Sequence, residues 1–140
     1  PNILALAGQS LDLGNGAQLH ILTSGKRGAI LLLEWENFRA LLPLGAHEAD
    51  YESLRMGQDI GPVTVLLLAD NGYARLNPPA WINNLNPQLV LLSVAADDSA
   101  GRPDAGTLDA LGGYSLLRTD QHGWIHISTN GEQMWVEIEK

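Results

Sequence analysis

Val63-Thr-Val-Leu-Leu-Leu-Ala69 is apolar at every position but one, and Gln88-Leu-Val-Leu-Leu-Ser-Val94 repeats the same texture further along the chain. A strand with one wet face alternates polar and apolar residues. A continuous apolar run of this length reads as a strand covered on both faces, the usual state in a parallel sheet flanked by helices. Each run leads into a helix signal. Asn77 is placed to cap a helix with Pro78 or Pro79 in its first turn and Trp81, Ile82 and Leu85 facing inward, and Asn86-Pro87 stops it. Pro103 or Asp104 opens a second helix, with Leu108 and Leu111 inward and Gly112-Gly113 as the stop. A third is expected over 46–56, burying Tyr51 and Leu54 and placing Glu48 and Asp50 near its positive end.

Outside these runs the chain reads as hairpins. Leu11–Leu13 and Gln18–Leu22 flank Gly14-Asn15-Gly16, residues that accept positive φ. Ala29–Trp35 and Phe38–Leu42 flank Glu36-Asn37, and Trp124–Thr129 and Gln133–Ile138 flank Asn130-Gly131. In the last hairpin Ile125 and Ile127 share one face, as do Met134, Val136 and Ile138 on its partner. Trp124 and Trp135 both fall on the opposite face and are expected to be cross-strand neighbours. The fold class is therefore α/β (α+β): a mixed sheet with hairpins and about three helices, in one domain over 1–140.

The chain has 140 residues, with 8 Lys and Arg against 16 Asp and Glu, a net charge of −8, and no Cys. The scattered basic residues argue against a general nucleic-acid surface. The lack of Cys excludes a disulfide framework, a thiolate zinc site and a cysteine nucleophile. No apolar run approaches the ~20 residues of a membrane-spanning helix. The chain opens at Pro1, not Met, which reads as a processed or excised piece.

The segment Arg118-Thr-Asp-Gln-His-Gly-Trp-Ile-His-Ile-Ser-Thr-Asn-Gly131 resembles the closing hairpin of the C-terminal domain of ComEC-type competence proteins, bacterial inner-membrane channels for DNA uptake. Ala29–Leu42 resembles that family's paired strands, Val63–Leu68 its next strand, and Pro87–Ala96 its Arg-Pro-x4-Ile-Ser-Val-Gly strand. The resemblance implies half of a metallo-β-lactamase-like αββα sandwich, the second half only. The family's His-x-His-x-Asp-His cluster, carried by its first half, has no counterpart here.

The resemblance also implies where metal ligands belong. The family's Thr-Gly-Asp, with its bridging carboxylate, is replaced by Pro43-Leu44-Gly45. Pro-His-His-Gly-Ser is replaced by Ala69-Asp70-Asn71-Gly72-Tyr73, and Gly-His-Pro-His-Pro by Gly101-Arg102-Pro103-Asp104-Ala105. All three keep turn residues and lose the ligands that would hold two metals and an attacking water. The expectation is no metal, no cofactor and no catalytic residue, with a vestigial pocket of Gly45, Asp70, Asn71, Asp97, Asp98, Arg102 and Asp104 at the strand ends, where α/β sheets place ligands. The competing expectation is that these Asp and Asn residues make turns and cap helices.

Other candidates read as structural. His122 belongs to the Asp120–Gly123 turn; His126 alternates with Ile125 and Ile127; the two stand roughly 13 Å apart on an extended chain, too far for one metal. His20 and His47 have no partners at ligand spacing. Ser93 and Ser99 lack a His-plus-carboxylate arrangement, and no Gly-x-Ser-x-Gly elbow is present. The four Trp residues read as packing groups without a basic groove beside them.

Three functions follow as expectations. The first is a non-catalytic module of a competence DNA-uptake channel, acting as scaffold or interaction partner of the parent channel or other competence proteins, and touching DNA only indirectly. The second is a metal-dependent nuclease or hydrolase domain whose ligands lie in an absent first half. The third is a small acidic ligand-binding domain. The resemblance places the chain as a soluble, extracytoplasmic domain of a bacterial inner-membrane protein, with no membrane insertion of this segment. An open sheet face is expected to be covered by homodimerisation of the isolated fragment or to leave it prone to aggregation.

Overall fold

The structure is a computed structural model that describes residues 5–140; Pro1 lies outside them. A seven-stranded sheet is built in chain order from β1 (Ser10–Gly14), β2 (Ala17–Gly25), β3 (Gly28–Trp35), β4 (Phe38–Leu44), β5 (Val65–Leu67), β6 (Leu89–Leu92) and β7 (Leu116–Arg118). The first four strands form an antiparallel meander, and β4 through β7 run parallel. Four short α-helices, α1 (Glu48–Ser53), α2 (Pro79–Leu85), α3 (Ala105–Ala110) and α4 (Thr119–His122), three single 3-10 turns (Arg55–Gly57, Asp70–Gly72 and Ala74–Leu76), and a separate hairpin of β8 (Ile125–Thr129) and β9 (Met134–Ile138) complete the elements of the described residues. The fold is α+β, as the patterning implies.

Alternation sorts the strands into two packed faces. Ile30, Leu32, Leu41, Leu66, Val90 and Leu92 form one face and pack with Tyr51, Trp81, Ile82 and Leu85 from α1 and α2. Tyr51 and Trp81 stack with ring centroids 4.2 Å apart, and Tyr51 Oη donates to the Leu76 carbonyl at 2.7 Å. Burial, helped by the Asp50 charge, raises the Tyr51 phenol above its ordinary value, so it stays neutral. Phe38, Ala40, Val65 and Leu89 turn to the opposite face, where Ile127 and Met134 of the β8–β9 hairpin cover them. The Gly131 carbonyl accepts the Asn37 N–H at 2.9 Å, pinning the hairpin tip to the β3–β4 turn.

Several expectations are corrected. The helix expected over 46–56 is helical only over Glu48–Ser53, because Arg55 and Met56 take φ of 50° and 52°, which no helix accommodates. Leu116–Arg118, not foreseen as a strand, extends the sheet parallel to β6. Pro78, not Asn77, occupies the cap of α2, with Pro79 at its first position; Asn86, at φ 38°, ends it. Trp124 and Trp135 are not neighbours. Trp135 lies opposite Ser128, while the Trp124 carbonyl accepts the Glu139 N–H at the far end of the hairpin.

Asn77 has a different task. It is 2% exposed, and its carboxamide accepts the Ala69 N–H at 2.9 Å and donates to the Ala69 and Tyr73 carbonyls at 2.9 and 2.7 Å. The Ala69 and Tyr73 carbonyls also accept the Gly72 and Leu76 N–H groups at 3.0 and 3.1 Å, so we predict that Asn77→Ala, which strands the Ala69 N–H alone, costs about 2 kcal/mol in urea unfolding. Thr23 gives the opposite case: its Oγ1 is buried with no partner among the described residues. Thr23→Val is predicted to unfold at the same denaturant midpoint or higher, by up to ~1 kcal/mol.

Candidate functional site

The loops at the carboxyl ends of β5 and β6 carry the predicted site residues. Beyond β5 the chain makes a tight turn over Asp70–Gly72, in which Asp70 and Asn71 take φ of 45° and 54°. Asp and Asn tolerate this left-handed region better than other side-chain-bearing residues. Gly72 is required here. A Cβ on it, at φ +88°, would lie 2.6 Å from the Pro103 Cβ. The close approach lets the Gly72 carbonyl accept the Asp104 N–H at 3.1 Å and the buried Thr107 Oγ1–H at 2.7 Å.

Asp104 closes the second loop onto the first. One carboxylate oxygen accepts the Ala74 N–H at 2.8 Å, and the other accepts from the Arg102 guanidinium. Arg102 lies over the Tyr73 ring, 4.1 Å from Cζ to centroid, a cation–π contact. Asp98 Oδ2 accepts the Ala100 and Arg102 N–H groups at 3.1 and 2.9 Å, ordering the same loop. The structure thus joins Asp98, Arg102 and Asp104 with Gly72 and Tyr73. Asp70, Asn71 and Asp97 are exposed beside them.

Gly45 is held elsewhere. It follows β4 at φ +77°, and a Cβ there would stand 2.0 Å from the Arg27 carbonyl oxygen. The backbone of the β2–β3 turn occupies the place any side chain would need, so this position admits no carboxylate without displacing that turn.

The histidines are distributed. His47 occupies the α1 cap position, its N–H donating to Asp50 Oδ2 at 2.7 Å. His122 Nδ1 sits 3.1 Å from the Arg118 nitrogen and 3.0 Å from the Arg118 carbonyl oxygen, a local turn contact. His126 is exposed opposite Glu137. His20, expected to have no partners at metal-ligand spacing, has two hydrogen-bonding neighbours: Ser10 Oγ lies 2.6 Å from its Nδ1, and Glu34 Oε1 lies 2.8 Å from its Nε2. The signal was the hairpin register, which pairs Ser10 with His20 and Gln18 with Glu34. Among the described residues no group of three His, Cys, Asp or Glu side chains is arranged to hold a metal, and no helix is long and apolar enough to cross a membrane.

No protein-family profile matches the chain, and no curated protein does.

Acid sensitivity follows from the carboxylates. The Ala74 N–H first, and the Arg102 guanidinium after it, hold Asp104 below the usual carboxylate range against the opposing effect of burial. Arg118, bonded to both Asp120 oxygens, lowers Asp120 likewise. A depressed folded value gives stability that is complete above the unfolded value and lost as pH falls through the folded one. We predict a Tm that declines from about pH 5 downward, with a flatter acid limb in Asp104→Asn, read by calorimetry.

Proposed function

We propose that this chain is a metallo-β-lactamase-like module, silent toward metal-dependent hydrolysis, that serves as a scaffold or interaction part of a bacterial competence DNA-uptake channel protein. The observation that carries this reading is what the strand-end residues do. Where the resembled family places a bridging carboxylate, Gly45 abuts the Arg27 carbonyl. Where it places histidines, Asp70 and Asn71 make a left-handed turn, and Asp104 binds Ala74 and Arg102. These side chains satisfy the protein's own backbone and hold loops together, which supports a structural role for a site that elsewhere holds metals.

A second support is the sheet face bearing Leu31, Leu33 and Leu42. The β8–β9 hairpin covers part of it and leaves an apolar cleft of about 230 Å³ bordered by Leu33, Leu42, Leu91 and Ile127. Leu11 and Leu44, in register with that face, are 46% exposed. An apolar surface of this kind suits contact with another part of the channel protein or a partner. In this reading the chain sits on the extracytoplasmic side and meets DNA only through its neighbours.

The test is elemental analysis after equilibration with Zn²⁺ and Mn²⁺, paired with cleavage assays on plasmid and single-stranded DNA. The expected outcome is no stoichiometric metal and no metal-dependent cleavage. Two metals bound per chain would overturn the proposal.

A further inference from the structure

At the antiparallel edge of the sheet, far along the strand order from the loops after β5 and β6, side chains from three strands meet. Ser10 on β1 is paired with His20 on β2, and Glu34 on β3, opposite Gln18, reaches His20 diagonally from two residues along its strand. Ser10 Oγ lies 2.6 Å from His20 Nδ1, and His20 Nε2 lies 2.8 Å from Glu34 Oε1. The contacts continue: Arg39 Nε donates to Glu34 Oε2 at 2.9 Å, and Arg39 Nη1 donates to the Pro62 carbonyl at 2.6 Å. Ser10 is exposed, while His20 is half-buried. A cleft of about 240 Å³ opens onto all three residues, walled by Gly8, Gln9, Ile21, Leu22 and Leu32.

We propose that Ser10, His20 and Glu34 form a metal-independent acyl-transfer site for small esters with short acyl groups. A nucleophilic hydroxyl needs a base within hydrogen-bond reach, and the base needs a third group that fixes its tautomer. Glu34 takes the Nε2–H of His20, which leaves the Nδ1 lone pair toward Ser10; Arg39 and the Pro62 carbonyl hold Glu34 in place. Ser10 Oγ attacks the ester carbonyl carbon and forms a new C–O bond as its proton passes to His20 Nδ1. The ester C–O bond then breaks, and the leaving alcohol takes that proton. Water, deprotonated by the same nitrogen, next cleaves the acyl-serine to release the carboxylic acid and restore Ser10. Leu22 and Leu32, which line the cleft, give it an apolar wall that fits a short acyl chain. Ser10 and His20 are the catalytic residues; Glu34 is a positioning residue. The inference stands apart from the scaffold reading, since it uses a different edge of the sheet and no metal.

The experiment treats the whole chain, in EDTA, with p-nitrophenyl acetate and with a fluorophosphonate probe, followed by peptide mapping. The expected result is a single adduct per chain on Ser10, absent in Ser10→Ala, and an esterase rate reduced at least tenfold in that variant. Ser10→Ala removes only one exposed hydroxyl, and an unchanged melting curve confirms its fold. Glu34→Gln is expected to lower kcat for p-nitrophenyl acetate at least tenfold with KM and the melting curve unchanged, because the imidazole is no longer held toward Ser10; a purely structural role would leave kcat in place. No adduct on Ser10, an adduct on His20 instead, or an equal rate in Ser10→Ala would overturn the proposal.

Discussion

The strand-end loops depend on how the backbone leaves β5. Ala69, buried at the end of that strand, has an N–H and a carbonyl that no neighbouring strand takes up; the Asn77 carboxamide accepts the N–H, shares the carbonyl with the Gly72 N–H, and also bonds the Tyr73 carbonyl. A buried amide or carbonyl without a partner costs free energy on the order of a whole net hydrogen bond or more. One side chain therefore fixes the shape of the turn through Asp70–Gly72. That turn presents the Gly72 carbonyl to Asp104 and Thr107, and Asp104 in turn holds Ala74 and Arg102. The chain of contacts runs from a buried strand to an exposed loop with its polar groups committed to one another.

The same arrangement explains which parts of the fold were legible in the sequence. The apolar runs around β5 and β6 and the three hairpins announce themselves by composition and period, because burial on two faces or one dictates the pattern directly. Leu116–Arg118 escaped notice because a three-residue strand carries no period; only its parallel pairing with β6 defines it. The break after α1 is equally silent, since Arg55 and Met56 are ordinary helix formers that the turn into Gly57 forces to positive φ. Asn77 looked like a cap because Asn before Pro-Pro is a good cap sequence. Burial beside Ala69 redirected it.

That Asp70, Asn71, Asp97, Asp98, Arg102 and Asp104 follow β5 and β6 is legible along the chain, but their grouping is not. Asp98, Arg102 and Asp104 come together because the loop after β6 folds back on itself, while Gly45 is drawn away by the β2–β3 turn. The Ser10–His20–Glu34 cluster leaves no trace as a spacing along the sequence, because these residues meet across strands. A turn at Gly14–Gly16 already fixes Ser10 opposite His20, so the signal lay in the register, not in a motif.

The loops after β5 and β6 hold their polar groups against one another, and the proposed structural role rests on that mutual commitment. Native-state hydrogen exchange at the Ala69 and Ala74 amides, which donate to Asn77 and Asp104, reads it most directly. The account predicts strong protection of both amides, Ala69 near the limit set by global unfolding, and no change on adding Zn²⁺ or Mn²⁺. Exchange of either amide at the rate of an open loop, or protection that rises only when metal is added, would contradict it.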